Sequence, residues 1–141
     1  MDDFKFLSFL LLQTMATLGL LAILWLWPGP WNVARLTGSM LTIAGLTLVF
    51  TARVQLGKSF SVTPQARTLV THGPYSKVRN PIYVFGIVVI SGVILILHKP
   101  RLWILLAIII PMQIVRARKE AKVLEAKFGN EYREYQRRTW F

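Results

Sequence analysis

The sequence predicts an all-α, polytopic integral membrane protein with about four transmembrane helices and a C-terminal amphipathic helix on the cytosolic side. Three observations carry this prediction. Apolar residues make up 54% of the 141 and charged residues only 16%, where a soluble domain carries about 25% charge. Four stretches, Phe6–Trp27, Leu36–Ala52, Pro81–Leu97 and Leu102–Val115, contain no Asp, Glu, Lys or Arg and together hold 70 residues. The net charge is +11, and the basic residues fall almost entirely between alternate stretches.

The first stretch has 22 residues. At about 1.5 Å per residue it reaches roughly 33 Å, enough to cross a hydrocarbon core of about 30 Å. Backbone groups in hydrocarbon have no partner but their own helix, so a helix is required. Asp2 and Asp3 precede this stretch and no A-x-A cleavage site follows, which favours a retained span over a signal peptide. Trp25, Trp27 and Trp31 bracket its end, as in an interfacial aromatic belt. Pro28-Gly29-Pro30 then stops the helix and turns the chain.

The second span, residues 31–52, carries Gly38, Ser39, Ala44 and Gly45, small residues that let helices pack closely. The loop 53–80 follows, and its 28 residues exceed what a mere connector needs. Asn80-Pro81 reads as a helix start, with Asn as N-cap and Pro at the first helical position. The third span, 81–97, is joined to the fourth, 102–115, by only His98-Lys99-Pro100-Arg101, so the two form a tight hairpin. Pro111 is placed to kink the last span where it leaves the membrane. The tail, 116–141, begins as an amphipathic continuation with Val123, Leu124 and Phe128 on its apolar side. Gly129-Asn130 interrupts it, and Glu131–Arg138 forms a further short helix with Tyr132 and Tyr135 on one edge. The whole chain, 1–141, reads as a single domain.

With four spans, the N-terminus, the 53–80 loop and the tail share one side. That side holds fourteen of the 17 basic residues, leaving Arg35, Lys99 and Arg101 on the other. The bias puts both termini in the cytoplasm, with a bacterial inner membrane as the expected location. Topology and anionic headgroups account for the basic excess, so no nucleic-acid partner is implied. There is no Cys, which excludes disulfides, thiolate metal sites and Cys nucleophiles. Two histidines, His72 and His98, make a metal site unexpected, and no phosphate-binding glycine loop occurs. Inside the spans Gln13 and Gln113 are the strongly polar groups, which argues against a proton pump or voltage sensor. Chemistry is therefore expected at the cytoplasmic rim.

Three constellations face that rim. Arg79-Asn80-Pro81-Ile82-Tyr83 opens the third span. As a capped helix N-terminus it offers free N–H groups and a partial positive charge, suited to a carboxylate or phosphate; as a plain helix start it needs no ligand. Arg116 and Glu120 are four apart on a helix and share a face. They form either an ordinary ion pair worth a few tenths of a kcal/mol, or separate contacts to an anionic and a cationic ligand group. In Thr68-Leu69-Val70-Thr71-His72-Gly73-Pro74-Tyr75, Gly-Pro marks a turn and Leu69 and Val70 are expected to pack back onto the helices. His72 alone is a weak catalytic candidate.

These residues resemble the isoprenylcysteine carboxyl methyltransferase family, which has bacterial relatives and is allied to membrane phospholipid methyltransferases. The likeness lies in Leu69-Val70-Thr71-His72-Gly73-Pro74-Tyr75, Arg79-Asn80-Pro81-Ile82-Tyr83, and Arg116, Glu120, Leu124, Phe128-Gly129, Tyr132 and Tyr135 at their spacing, with Leu56-Gly57-Lys58-Ser59-Phe60-Ser61 upstream. It covers about Leu56 to Trp140. The resemblance implies S-adenosyl-L-methionine bound at the cytosolic face and a lipid-like methyl acceptor arriving from the bilayer. It implies that Arg67, Thr68, Leu69, Val70 and Tyr75 line the cofactor pocket, that Asn80, Pro81, Ile82 and Tyr83 form its floor, and that Glu120 meets the cofactor's polar end. Arg116 would align the acceptor's carboxylate as the catalytic residue. Family members often carry His where this chain has Arg67 and Asn80, and a second Glu where it has Ala121.

Methyl transfer to a carboxylate neutralises opposite charges, which a dry site favours, and needs no general base. An amine must arrive deprotonated or meet a base. The residues near the rim therefore favour carboxyl O-methylation slightly. The alternatives are a phospholipid or amine N-methyltransferase, a non-catalytic membrane scaffold that kept the fold, and an NADPH-dependent membrane reductase with a similar C-terminal arrangement.

Overall fold

The computed structural model describes residues 3–57 and 69–141. Among the described residues it is all-helical and has no strand. Five helices follow one another: α1 (Asp3–Leu26), α2 (Val33–Leu56), α3 (Pro81–Leu97), α4 (Trp103–Phe128) and α5 (Asn130–Arg137). Short 3-10 turns lie at Gly73–Ser76 and Pro100–Leu102.

Local chemistry sets the boundaries. α1 ends just before Pro28-Gly29-Pro30. The Asn32 side chain accepts from the Arg35 backbone N–H at 2.9 Å and caps α2, satisfying one of the donors a helix start leaves open. α2 runs to Leu56 and closes on Gly57 at φ +52, a conformation that suits glycine. His98, left-handed at φ 52, and Pro100 end α3. α4 passes through Pro111 without interruption. It stops at Gly129, whose N–H bonds the Glu125 carbonyl at 2.8 Å.

Three of these helices are long and apolar enough to cross a membrane: Phe4–Leu26, Val33–Leu56 and the stretch Pro100–Phe128. α3 has 17 residues, about 26 Å, and is a shorter apolar helix rather than a full span by length. Relative to the four expected spans, α2 extends one turn further than residue 52. That extension takes Arg53 out of the loop and into its last turn.

The core is the α2–α3 pair. Gly38, Thr42, Gly45, Val49 and Ala52 are buried on α2 at spacings of three and four, one continuous stripe. A Cβ on Gly38 would stand 2.6 Å from the Gly92 carbonyl oxygen, and a Cβ on Gly92 would stand 2.6 Å from that of Gly38. A Cβ on Gly45 would meet Val89 Cγ2 at 2.7 Å. Backbones approach this closely only where side chains are absent. Thr42 Oγ1 donates to the Gly38 carbonyl at 2.8 Å, so the polar atom in this seam is satisfied within α2. Of the four small residues expected to pack, Gly38 and Gly45 lie in the seam. Ala44 is exposed, and Ser39 turns its hydroxyl back to the Arg35 carbonyl at 2.8 Å.

The span interiors also differ from expectation. Arg35, in the first turn of α2, is only 2% exposed. Arg53 donates to Gln13 Oε1 at 2.5 Å and lies 5.4 Å from the Phe9 ring centroid. The two arginines draw α1 toward α2. They lie in helix ends because α2 begins at its Asn32 cap and runs to Gly57.

Candidate functional site

The site forms where the start of α3 meets the middle of α4. Tyr83 lies one turn inside α3, and its hydroxyl donates to Glu120 Oε1. Arg116 Nε stands 3.5 Å from the same oxygen, and the Arg116 guanidinium carbon is 5.6 Å from the Tyr83 ring centroid. One carboxylate oxygen thus gathers a phenol from α3 and a guanidinium from its own helix, α4. The Arg116 and Glu120 side chains are 39% and 26% exposed. Their own ion pair is therefore solvent-screened and contributes only about 0–1 kcal/mol. The Tyr83 hydrogen bond joins α4 to α3 at this point.

A second layer supports this corner. The segment before α3 lies against the end of α2: at Gly73, φ +60, a Cβ would collide with the Gln55 side chain. Tyr75 is buried in the 3-10 turn. Burial raises its phenol above its ordinary range; Tyr135 and Glu120 act in the same direction and Arg53 opposes them. Its backbone carbonyl accepts from the Tyr135 hydroxyl at 2.7 Å. Tyr132 and Tyr135 are each 2% exposed, with ring centroids 6.1 Å apart. The expected common edge of the last helix is thus its packed face.

The tail then runs beside the segment leading into α3. Trp140 N–H bonds the Lys77 carbonyl at 2.7 Å, Arg79 N–H bonds the Trp140 carbonyl at 3.0 Å, and Asn80 N–H bonds the Phe141 carbonyl at 3.0 Å. Val78 and Trp140 form a parallel bridge. Asn80 requires a correction. Its side chain makes no cap hydrogen bond to α3; its amide nitrogen instead donates to the Phe141 carbonyl at 2.9 Å. A contact 61 residues away outcompetes the local cap, and the Asn80 carbonyl alone starts the helix by accepting from Tyr83 and Val84.

The remaining candidates fall as follows. Pro81 is buried and Ile82 half-buried at the first turn of α3. Leu69 and Val70 are half-buried. His72 is exposed and precedes the 3-10 turn. Arg67 and Thr68 lie outside the described residues, as does most of Leu56–Ser61 beyond Gly57. Sequence reasoning missed Arg53, within electrostatic reach of Tyr75, and the tail pairing. Arg53 gave no signal because it was counted as a loop charge. Among the described residues no group of His, Asp and Glu is arranged to hold a metal ion.

Apolar helices with a polar cluster assembled from the start of α3 and the middle of α4 define a membrane protein with a candidate site at the edge of its apolar region. The phospholipid methyltransferase family model matches residues 33–131, more than half of the chain, and the chain belongs to that family. The match begins with α2 and ends inside α5, so α1 and the 132–141 tail lie outside it. No curated protein matches the chain. As a family member it is a membrane methyltransferase.

Proposed function

We propose that this protein transfers a methyl group from S-adenosyl-L-methionine to a lipid-like acceptor at the cytoplasmic face of the membrane, through the Tyr83–Glu120–Arg116 cluster. The observation that carries the proposal is the convergence of Tyr83 and Arg116 on Glu120 across α3 and α4. The donor set fits the polar end of that cofactor, which bears an ammonium and a carboxylate. Glu120 offers an acceptor for an ammonium, and the start of α3 offers its dipole to an anion. When bound, the cofactor supplies an electrophilic methyl on a sulfonium.

The protein's own residues then bind, orient and exclude water. Tyr83 fixes the rotamer of Glu120. Arg116, one turn nearer the apolar part of α4, holds the anionic group of the acceptor so that its oxygen lies in line with the methyl. Alignment of this kind supplies much of the rate when no covalent step falls to the protein. In this scheme Leu69, Val70 and Tyr75, with Arg67 and Thr68, line the cofactor side, and Pro81 and Ile82 form its floor. Asn80 holds that floor by gripping the tail. With α3 crossing beside α2 to make four spans, the fourteen basic residues on one side support cytoplasmic termini.

Arg116 favours a carboxylate acceptor of the isoprenylcysteine type, because the only carboxylate in the cluster already accepts a hydrogen bond and stands beside a cation. The family description favours an aminophospholipid instead, with Glu120 receiving its ammonium.

The test is transfer of labelled methyl in lipid nanodiscs to a prenylated carboxylate and, separately, to phosphatidylethanolamine. Glu120→Gln is expected to weaken binding of S-adenosylhomocysteine about tenfold or more, as loss of a charge-assisted hydrogen bond implies. Arg116→Ala is expected to lower turnover while leaving that binding close to the parent's. No transfer to either acceptor, together with no thermal stabilisation by S-adenosylhomocysteine, would overturn the proposal.

A further inference from the structure

The tail beyond α5 has an unusual surface. The Trp140 N–H and carbonyl and the Phe141 carbonyl bond residues 77–80, yet the Trp140 side chain is 65% exposed. Trp140 pairs with Val78, three residues before α3 and its uninterrupted apolar run begin at Pro81. The indole therefore stands at the level where the chain passes from a polar to an apolar segment, which is where Trp side chains concentrate in membrane proteins. The charged side chains of the two paired segments are all basic. Lys77, Arg79, Arg137 and Arg138 occupy the two paired segments, with no Asp or Glu between residues 77 and 80 or between 137 and 141. Lys77, Arg137 and Arg138 are exposed. The acidic residues of α5, Glu131 and Glu134, lie earlier in that helix.

We propose that the 137–141 tail is a lipid-facing clasp: Trp140 inserts among the headgroups of the leaflet from which α3 starts, and Lys77, Arg137 and Arg138 contact anionic lipid phosphates. Hydrogen bonds between the same tail and Lys77, Arg79 and Asn80 make the bilayer surface part of what holds the first turn of α3. The occupant is anionic lipid rather than a protein partner, because an exposed indole at the edge of an apolar helix, on paired segments whose charged side chains are all basic, complements an interface bearing phosphates. The inference does not depend on methyl transfer, and its test reads position alone.

The full chain in nanodiscs gives the contribution of Trp140 as the fluorescence of the parent minus that of Trp140→Phe; the other four tryptophans cancel. The tail pairing uses backbone groups, so this variant retains it. In discs containing phosphatidylcholine brominated near the top of its acyl chains, the difference signal is expected to fall about twofold or more, as for interfacial Trp, while aqueous acrylamide leaves most of it. Adding phosphatidylglycerol is expected to shift the difference emission further to the blue, and an Arg137→Gln/Arg138→Gln variant to lose that shift. Strong quenching by acrylamide with none by the brominated lipid would overturn the clasp. An emission unmoved by phosphatidylglycerol would overturn the anionic contact.

Discussion

Arg35 is a charged side chain almost wholly removed from solvent, and it has no carboxylate partner among the described residues. Its guanidinium instead donates to the Gly29 carbonyl at 2.8 Å and to the Leu24 and Trp25 carbonyls at 3.1 Å. The carbonyls of Leu24 and Trp25 belong to the last turn of α1, which a helix leaves unbonded and where a cation is favoured by the dipole. The Trp31 ring, 4.2 Å from the guanidinium carbon, covers it. Arg35→Met keeps the bulk and leaves those acceptors stranded, so it is expected to cost about 3 kcal/mol, read as a lowered thermal midpoint in detergent. Arg35→Lys should recover only part, because an ammonium lacks the fork. A methionine variant as stable as the parent would mean that water reaches those carbonyls. The buried tyrosines set a second residue-level expectation. Burial pushes the Tyr135 phenol up from 10 to about 12 and raises that of Tyr132 as well. The unfolded chain releases these protons first, so their stabilising contribution is complete below pH 10, and that of Tyr135 is lost as the pH rises through about 12. Tail docking should thus survive neutral and mildly alkaline solution. Tyrosinate absorbance should appear together with loss of helical signal, and tyrosinate formed near pH 10 in a still-folded chain would contradict the packing of α5.

Among the helices, the α2–α3 seam carries the fold, and glycine decides it. Gly92 and Gly86 share α3, but a Cβ on Gly92 would collide with Thr42 Oγ1 and the Gly38 carbonyl, whereas one on Gly86 meets nothing within 4 Å. Gly92→Ala is therefore expected to destabilise by about 1–3 kcal/mol through overpacking. Gly86→Ala should be neutral or slightly stabilising, since alanine is the better helix former. Equal midpoints for the two variants would show that the seam yields. Much of this level was legible beforehand. Charge-free stretches located the helices because hydrocarbon leaves the backbone no alternative, and Gly38 and Gly45 stood out as small residues. The spacing of Arg116 and Glu120 placed them on one face, because a helix fixes that geometry locally. What stayed hidden depends on tertiary choice. The Asn80 side chain had two possible acceptors, its own helix start and a chain segment 61 residues on, and local pattern favours the first. Arg53 was assigned to the loop, and Arg35, within residues 31–52, was read only as a charge on the far side, because charge count alone does not reveal a guanidinium folded onto a neighbouring helix.

In the molecule as a whole, α1 stands apart. Leu24 is its one buried side chain among those described, and the family match starts only at Val33. Two arginines of α2 hold it, one near each end of that helix. Arg35 grips the C-terminal carbonyls of α1, and Arg53 reaches Gln13 and the Phe9 ring. Along its length α1 presents Leu7, Leu11, Leu12, Met15 and Leu18 outward, which suits lipid. Its attachment therefore rests on polar contacts at defined heights rather than on a packed seam, and the two clasps should be separable. Arg53→Ala removes the one nearer the site. Hydrogen exchange in nanodiscs is expected to rise around Gln13, whose Oε1 loses its Arg53 donor. Amides of α2 and α3 along the glycine seam should keep the parent's protection, since local opening follows the distribution of buried contacts. Exchange rising uniformly through α1, α2 and α3 would instead make the three helices one cooperative unit, with α1 as much a part of the core as α3.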